Sequence, residues 1–373
     1  MRFLIVPDSF KESATSHQVA IAISEGINEA WPEAECIAIP IADGGEGSLS
    51  ALYNGLGGHI IKVKTEGPLR EPMEASYLRV GNQVFIELAE ASGLHLLSDH
   101  LRDPEITSTY GTGILMKHAL DLGIRHIILC IGGSATNDAG VGIAHALGTQ
   151  FIDKAGQRFL PTGGTLKDIA TIRTREDIPD FQLDVLCDVN NPFTGDQGAT
   201  YIYGPQKGGD SEKLDRIEQG MEHLRKLIEV NQNINLNEVS GAGAAGGVGG
   251  GMVAFFDAQL VSGIDYLIKR LALSEKVQFA DVLVTGEGKI DHQTVQGKLI
   301  SGLVRLCRAS DKPIIAICGS LELSNEEIRT LGLTAAFSIQ QRCCTWDQAK
   351  ITTVQDLRST SYQIAAIIKR FGL

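Results

Sequence analysis

Apolar residues fall along this chain in two textures. Near its ends stand short unbroken runs: Phe3–Val6, Cys36–Ile41, Val282–Thr285, Ile314–Cys318 and Ala335–Ile339. Runs of that length, with no polar alternation, suit parallel strands covered on both faces. Helical periods lie between them. Thr15 and Gln18 have the spacing of a capping box, and Val19, Ile23 and Ile27 repeat on one helical face that ends before Pro32. A last helix carries Leu357, Ile364, Ile368 and Phe371 in the same period. Two strands joined by a helix of this length predict a right-handed βαβ unit.

The middle of the chain reads differently. HIIKVKTEG, MEASYLRV and QVFIELAE, between residues 59 and 90, alternate like antiparallel strands, with Gly-Pro and Gly-Asn turns between them. A strand–glycine–helix passage follows at His126–Leu147. Then come a strand at Leu183–Cys187, a charged helix near Ser211–Val230 that reads as a solvated face, and a glycine run at 241–251. The expected fold class is α/β with two domains. Residues 1–60 plus 275–373 form a discontinuous Rossmann-like parallel-sheet domain, and 61–274 an inserted mixed α/β domain. The active site is expected in the cleft, at the carboxyl ends of strands.

Composition narrows the function classes. Of 373 residues, 33 are Lys or Arg and 45 Asp or Glu, a net charge of −12. That balance excludes a basic nucleic-acid footprint and a lysine-rich membrane face. The seven cysteines form no CxxC pair, which fits a reducing compartment, and no run of about 18 apolar residues exists. We therefore expect a cytoplasmic protein, monomer or homodimer, with small-molecule partners. Glycine stands out: 42 residues, about 11% against an average near 7%. Such an excess belongs in loops where backbone closely approaches something.

Standard motifs fail in turn. Gly297-Lys298 is followed by Leu299, so no Walker A loop exists, and Gly132–Thr136 lacks the last glycine of GxSxG. Gly241–Gly246 matches GxGxxG, but the preceding NINLNEVS is not a buried strand. What recurs instead is a strand end, glycines, and acids or lysines. Asp43 sits in ADGGEGS. Gly132, Gly133, Ser134, Thr136 and Asn137 run from a strand towards a helix, as an anion cradle requires. Gly286, Glu287, Gly288, Lys289 and Asp291 follow another strand, with Lys298 about one helical turn past Thr294. Asp188 ends a third. Tyr203–Gly209 frames Lys207 with glycines, and Asp8, Ser9 and Lys11 stand where the first strand ends. Phosphoryl transfer needs this inventory: N–H and cationic donors, carboxylates for a metal, and one base.

Taken in order, PDSFKES (7–13), PIADGGEGS (40–48), STYGTG (108–113), IGGSATND (131–138), CDVNNPFTGDQGA (187–199), YGPQKGG (203–209), GAGAAGG (241–247), TGEGKIDHQT (285–294) and AFSI (336–339) resemble the type I bacterial glycerate kinase family over nearly the whole chain. The resemblance implies an ATP-dependent kinase of D-glycerate giving 2-phosphoglycerate, with 3-phosphoglycerate the product in some members. It departs from the family pattern at Ile114, at 297–304 and at 340–347.

On that reading Gly132, Gly133, Ser134, Thr136, Asn137, Gly286 and Gly288 hold ATP. Glu287 and Asp291, or Asp188, contact Mg²⁺. Asp8, Ser9, Lys11, Lys289 and Lys298 meet glycerate, and Asp43 or Asp188 takes the hydroxyl proton. Two other classes stand beside it: a nucleotide-cofactor oxidoreductase of a hydroxy acid, resting on 241–246, and a non-catalytic acid sensor.

Overall fold

Fourteen strands, β1 to β14 in chain order, occur among the residues described by the computed structural model: 1–10, 13–41, 48–174, 178–292 and 298–372, without side chains at 48 and 298. The chain divides into two compact units. No helix among the described residues is long and apolar enough to cross a membrane.

The first unit comprises 1–43, 50–56 and 264–373. Its sheet is built from β1 (Arg2–Pro7), β2 (Glu35–Ala38), β12 (Val282–Ile290), β13 (Ile314–Leu321) and β14 (Ala335–Ser338). All pairs are parallel, in the order β14-β13-β12-β1-β2. Phe3, Ile5, Val282, Val284, Ile315 and Ile317 bury one face of it. Against that face lies the helix Ser16–Ala30 through Val19, Ile23 and Ile27. Its capping box is formed: Gln18 N donates to Thr15 Oγ1 at 3.3 Å and Thr15 N to Gln18 Oε1 at 2.9 Å. The helix Trp346–Phe371 completes the layer through Leu357, Ile364 and Ile368. Phe371, expected on that face, is instead 82% exposed at the helix's final residue.

The main difference from the sequence reading lies in β12. The stretch 285–290 was expected as a loop, but it continues the strand, with Glu287 beside Cys318 and Lys289 beside Ser320. Glycine permits this. A Cβ on Gly286 would lie 2.6 Å from the Ile317 carbonyl oxygen, and one on Gly319 would crowd the Gly288 carbonyl.

The second unit comprises 44–49 and 57–263. Its six-stranded sheet has the order β11-β10-β6-β5-β4-β3. β3 (His59–Glu66), β4 (Pro72–Val80) and β5 (Gln83–Glu87) pair antiparallel, as the alternation predicts. β5, β6 (His126–Cys130), β10 (Gln182–Leu186) and β11 (Gln259–Val261) pair parallel. Antiparallel β8 (Arg158–Phe159), β7 (Gln150–Ile152) and β9 (Thr171–Arg173) form a small separate sheet.

Two further expectations change here. The helix Ser211–Gln232 is not only a solvated face: Leu214, Ile217, Met221, Leu224 and Ile228 are buried, most of them in a core with Phe193 and Leu166. Its many charges occupy the opposite side, as an amphipathic helix allows. The glycine run is preceded by the short 3₁₀ turn Leu236–Glu238 and passes into the helix Ala244–Phe256, without the strand a dinucleotide fingerprint needs. Here glycine serves close packing. Gly246 has φ 70° and Gly247 φ 87°, and a Cβ on Gly251 would strike the Ala139 carbonyl.

Candidate functional site

Because β5, β6, β10 and β11 run parallel, their carboxyl ends share one edge of the second unit's sheet. Ligands of open α/β sheets bind beyond such edges. In register, Glu87, Cys130, Leu186 and Val261 stand level across the four strands. Just past that line lie Gly132, Asp188 and Gly263.

Asp188 is held by the chain beyond β11. Its Oδ1 accepts from Ser262 Oγ and from Gly263 N, both at 3.1 Å. Glu87, only 2% exposed, accepts from Leu49 N at 3.1 Å. The sequence reading passed over Glu87, although a lone acid inside an apolar strand is rarely there by chance.

The passage after β6 divides into two parts. Gly133 is exposed and Gly132 half-buried, with Gly133 at φ 72°. They form a turn held from behind: the Gly133 carbonyl accepts from Leu94 N at 2.8 Å, and Ala135 N donates to the Ser92 carbonyl at 2.8 Å. Backbone in this conformation, with small residues and free approach, suits an anion. Ser134 borders the turn at 7% exposure. Thr136, Asn137 and Asp138, by contrast, are fully buried. Thr136 and Asn137, expected to touch ATP, lie inside the unit. Thr136 Oγ1 and Asn137 Oδ1 have no hydrogen-bond partner among the described residues, while Asn137 Nδ2 lies 3.5 Å from Thr200 Oγ1.

Two buried ionisable side chains fasten this inner part. Asp138 accepts from Thr109 N and Thr109 Oγ1, each at 2.8 Å, and from Gly140 N at 3.1 Å. Burial pushes its carboxyl above the usual range, against those hydrogen bonds. Lys207 donates to Ser134 Oγ at 2.8 Å and to the Thr136 carbonyl at 2.6 Å, and is 1% exposed. Burial brings its pKa down to about 7, with the charge of Asp138 opposing. Lys207 was noticed in the sequence only as a lysine framed by glycines. A lysine in a polar loop reads as exposed, so its burial was not foreseen.

In the first unit a second set of predicted residues gathers at the end of β1 and β12. Asp8 N donates to the Gly286 carbonyl at 2.8 Å, and Ser9 N to Asp8 Oδ1 at 2.6 Å. Lys289 pairs with Glu322 at 3.0 Å and Asp291 at 3.2 Å. Those two acids, Glu322 first, hold its ammonium above the ordinary lysine value. Gly286 and Gly288 line the β12–β13 approach described above, with Phe10 3.6 Å from the Gly286 Cβ position. Asp43 and Lys11 lie outside the described residues, as does the side chain of Lys298.

Among the described residues no group of three or more His, Cys, Asp or Glu is placed to hold a metal ion. Mg²⁺ does not require one. It takes one or two carboxylates beside substrate phosphates and keeps several waters. Glu287 lies within extended β12 and Asp291 just past its end, about 13 Å along the chain, so each can offer a single carboxylate rather than a converging pair, and Asp291 also meets Lys289 at 3.2 Å.

Comparison with known proteins identifies the family. The model of the glycerate kinase family matches residues 3–369. A glycerate kinase of Halalkalibacterium halodurans is 43% identical over 93% of this chain and 92% of its own length. The glycerate 2-kinase of Escherichia coli is 38% identical over 99% and 98%. A crystal structure from Salmonella typhimurium, provisionally designated glycerate kinase 2, superposes with a TM-score of 0.85 at 39% identity, covering 99% of this chain and 98% of that one. With a match spanning nearly its whole length, the chain belongs to the glycerate kinase family.

Proposed function

We propose that the protein transfers the γ-phosphoryl group of ATP to the 2-hydroxyl of D-glycerate, releasing 2-phosphoglycerate and ADP. The observation that carries this reading is the glycine turn Gly132–Gly133 at a parallel sheet's carboxyl edge with Asp188 and Glu87, in a chain of this family. The name of the E. coli relative supports the 2-position.

In the proposed reaction the glycerate hydroxyl oxygen forms a bond to the γ-phosphorus as the bond to the β-bridging oxygen breaks. Asp188 or Asp43 accepts the hydroxyl proton. The backbone N–H groups of Gly132 and Gly133 and the hydroxyl of Ser134 donate to phosphate oxygens. Thr136 and Asn137 keep that turn in shape, and Gly286 and Gly288 give the β12 end its close backbone approach. Glycerate is an anion, so Lys11, Lys289 and Lys298 are its proposed cationic partners, with Asp8 and Ser9 binding its hydroxyls. Glu287, Asp291 or Asp188 would each offer Mg²⁺ a single carboxylate, and the ion would supply charge neutralisation of the phosphates.

The test is a coupled assay of ATP consumption across small hydroxy acids, with the phosphorylated position read by ³¹P and ¹H NMR. D-glycerate should be the preferred acceptor. Phosphate at the 3-position would revise the regiochemistry, and no acceptor among hydroxy acids would remove the reading.

A further inference from the structure

Lys207 sits in the 3₁₀ turn Pro205–Lys207, where Gly208 at φ 92° reverses the chain against the Arg102 carbonyl. A side chain at Gly208 would strike that carbonyl, so the turn is pressed into the unit and the lysine with it. Burying an ammonium costs several kcal/mol unless its donors are met. Here two are met by one short stretch, Ser134 Oγ and the Thr136 carbonyl. Both lie within three residues past the exposed Gly133. Since Ser134 Oγ accepts from Lys207, the hydroxyl's own hydrogen is left to be donated elsewhere. Ser134 is also the member of the inner stretch nearest the accessible turn.

We infer that Lys207 is a positioning residue for ATP, fixing the Gly132–Gly133 turn and committing the Ser134 hydroxyl to act as a donor to a phosphate oxygen. It does not touch the ligand. Its effect passes through Ser134 and the Thr136 carbonyl, and a substitution should weaken nucleotide binding while leaving glycerate binding alone. This rests on the proposed function, because the anion is taken to be ATP.

The experiment is calorimetric titration of Mg-ATP into wild type, Lys207→Met, Ser134→Ala and the double variant, with Tm and glycerate-dependent turnover measured for each. Loss of this buried hydrogen bond implies roughly a ten-fold rise in the ATP dissociation constant for Lys207→Met. The KM for glycerate should stay within about two-fold. The decisive feature is coupling: the double variant should lose less ATP affinity than the product of the two single losses, because Lys207 acts in part through Ser134. Should Lys207→Met not fold, Lys207→Gln, which keeps a donor, takes its place in the same cycle. Unchanged ATP affinity in a folded variant, multiplicative losses in the double variant, or failure of both lysine variants to fold would overturn the inference. Normal ATP binding with no glycerate turnover in wild type would overturn only the proposed acceptor.

Discussion

Asp138 and Thr109 are joined by two hydrogen bonds, from the threonine's N–H and from its hydroxyl, both 2.8 Å long and both buried. Thr109 Oγ1 in turn accepts from Ile143 N at 3.1 Å. The pair ties the passage after β6 to the N-terminus of the helix Tyr110–Asp121, directly behind the glycine turn. Asp138→Asn keeps the shape but turns one acceptor into a donor facing donors. Leaving such buried groups unmatched costs about 1–3 kcal/mol. Urea unfolding should show a loss of that size, and a change below about 0.5 kcal/mol would mean the pair is not stabilising.

A second prediction concerns the first unit. Gly26 lies where the helices Ser16–Ala30 and Trp346–Phe371 approach, and a Cβ there would strike the Arg358 carbonyl and come within 2.9 Å of Ser361 Cβ. Gly26→Val should therefore lower stability by about 1–3 kcal/mol, as overpacking does. Thermal unfolding checks this, and an unchanged or raised Tm would show that the helices separate at little cost.

Lys207 has a signature in the pH dependence of stability. Burial lowers its folded-state pKa to about 7 from 10.5. Between those values the unfolded chain binds a proton that the folded protein does not, so stability rises with pH across this window. The cost of the buried ammonium is complete below about pH 7. Measured against Lys207→Met, wild-type stability should increase by about 1–2 kcal/mol from pH 7 to pH 9. A difference flat with pH would show that Lys207 does not titrate there.

The proton acceptor is separable by mutation. Asp188→Asn or Asp43→Asn should reduce kcat by about 10²–10⁴ with the fold intact, the usual size of a general-base effect. Circular dichroism and Tm confirm folding, and steady-state kinetics reads the loss. If both variants keep kcat within about three-fold, neither carboxylate is the base.

Local signals carried much of the fold. The Thr15–Gln18 pair marked a helix start that the structure caps in that way, and the unbroken apolar runs marked parallel strands because burial on both faces leaves no room for polar alternation. β12 escaped the same reading past Thr285, since glycines normally weaken a strand. Here crowding by the Ile317 carbonyl makes glycine the residue that fits. The candidate site was legible as glycines and acids at strand ends. Its depth was not. Nothing local in Thr136, Asn137 or Lys207 tells that all three are buried around one turn, because the bonds from Lys207 that hold it span 73 and 71 residues of sequence. Asp188 was read from its place after a strand, whereas the Ser262 and Gly263 contacts that orient it depend on the pairing of β10 with β11.

ATP consumption by the purified protein, followed with D-glycerate as the varied substrate and the product identified by NMR, decides whether the proposed reaction occurs. Glycerate-dependent release of ADP in one-to-one ratio with 2-phosphoglycerate is the expected result. ATP consumption that is absent, or indifferent to glycerate, would contradict it.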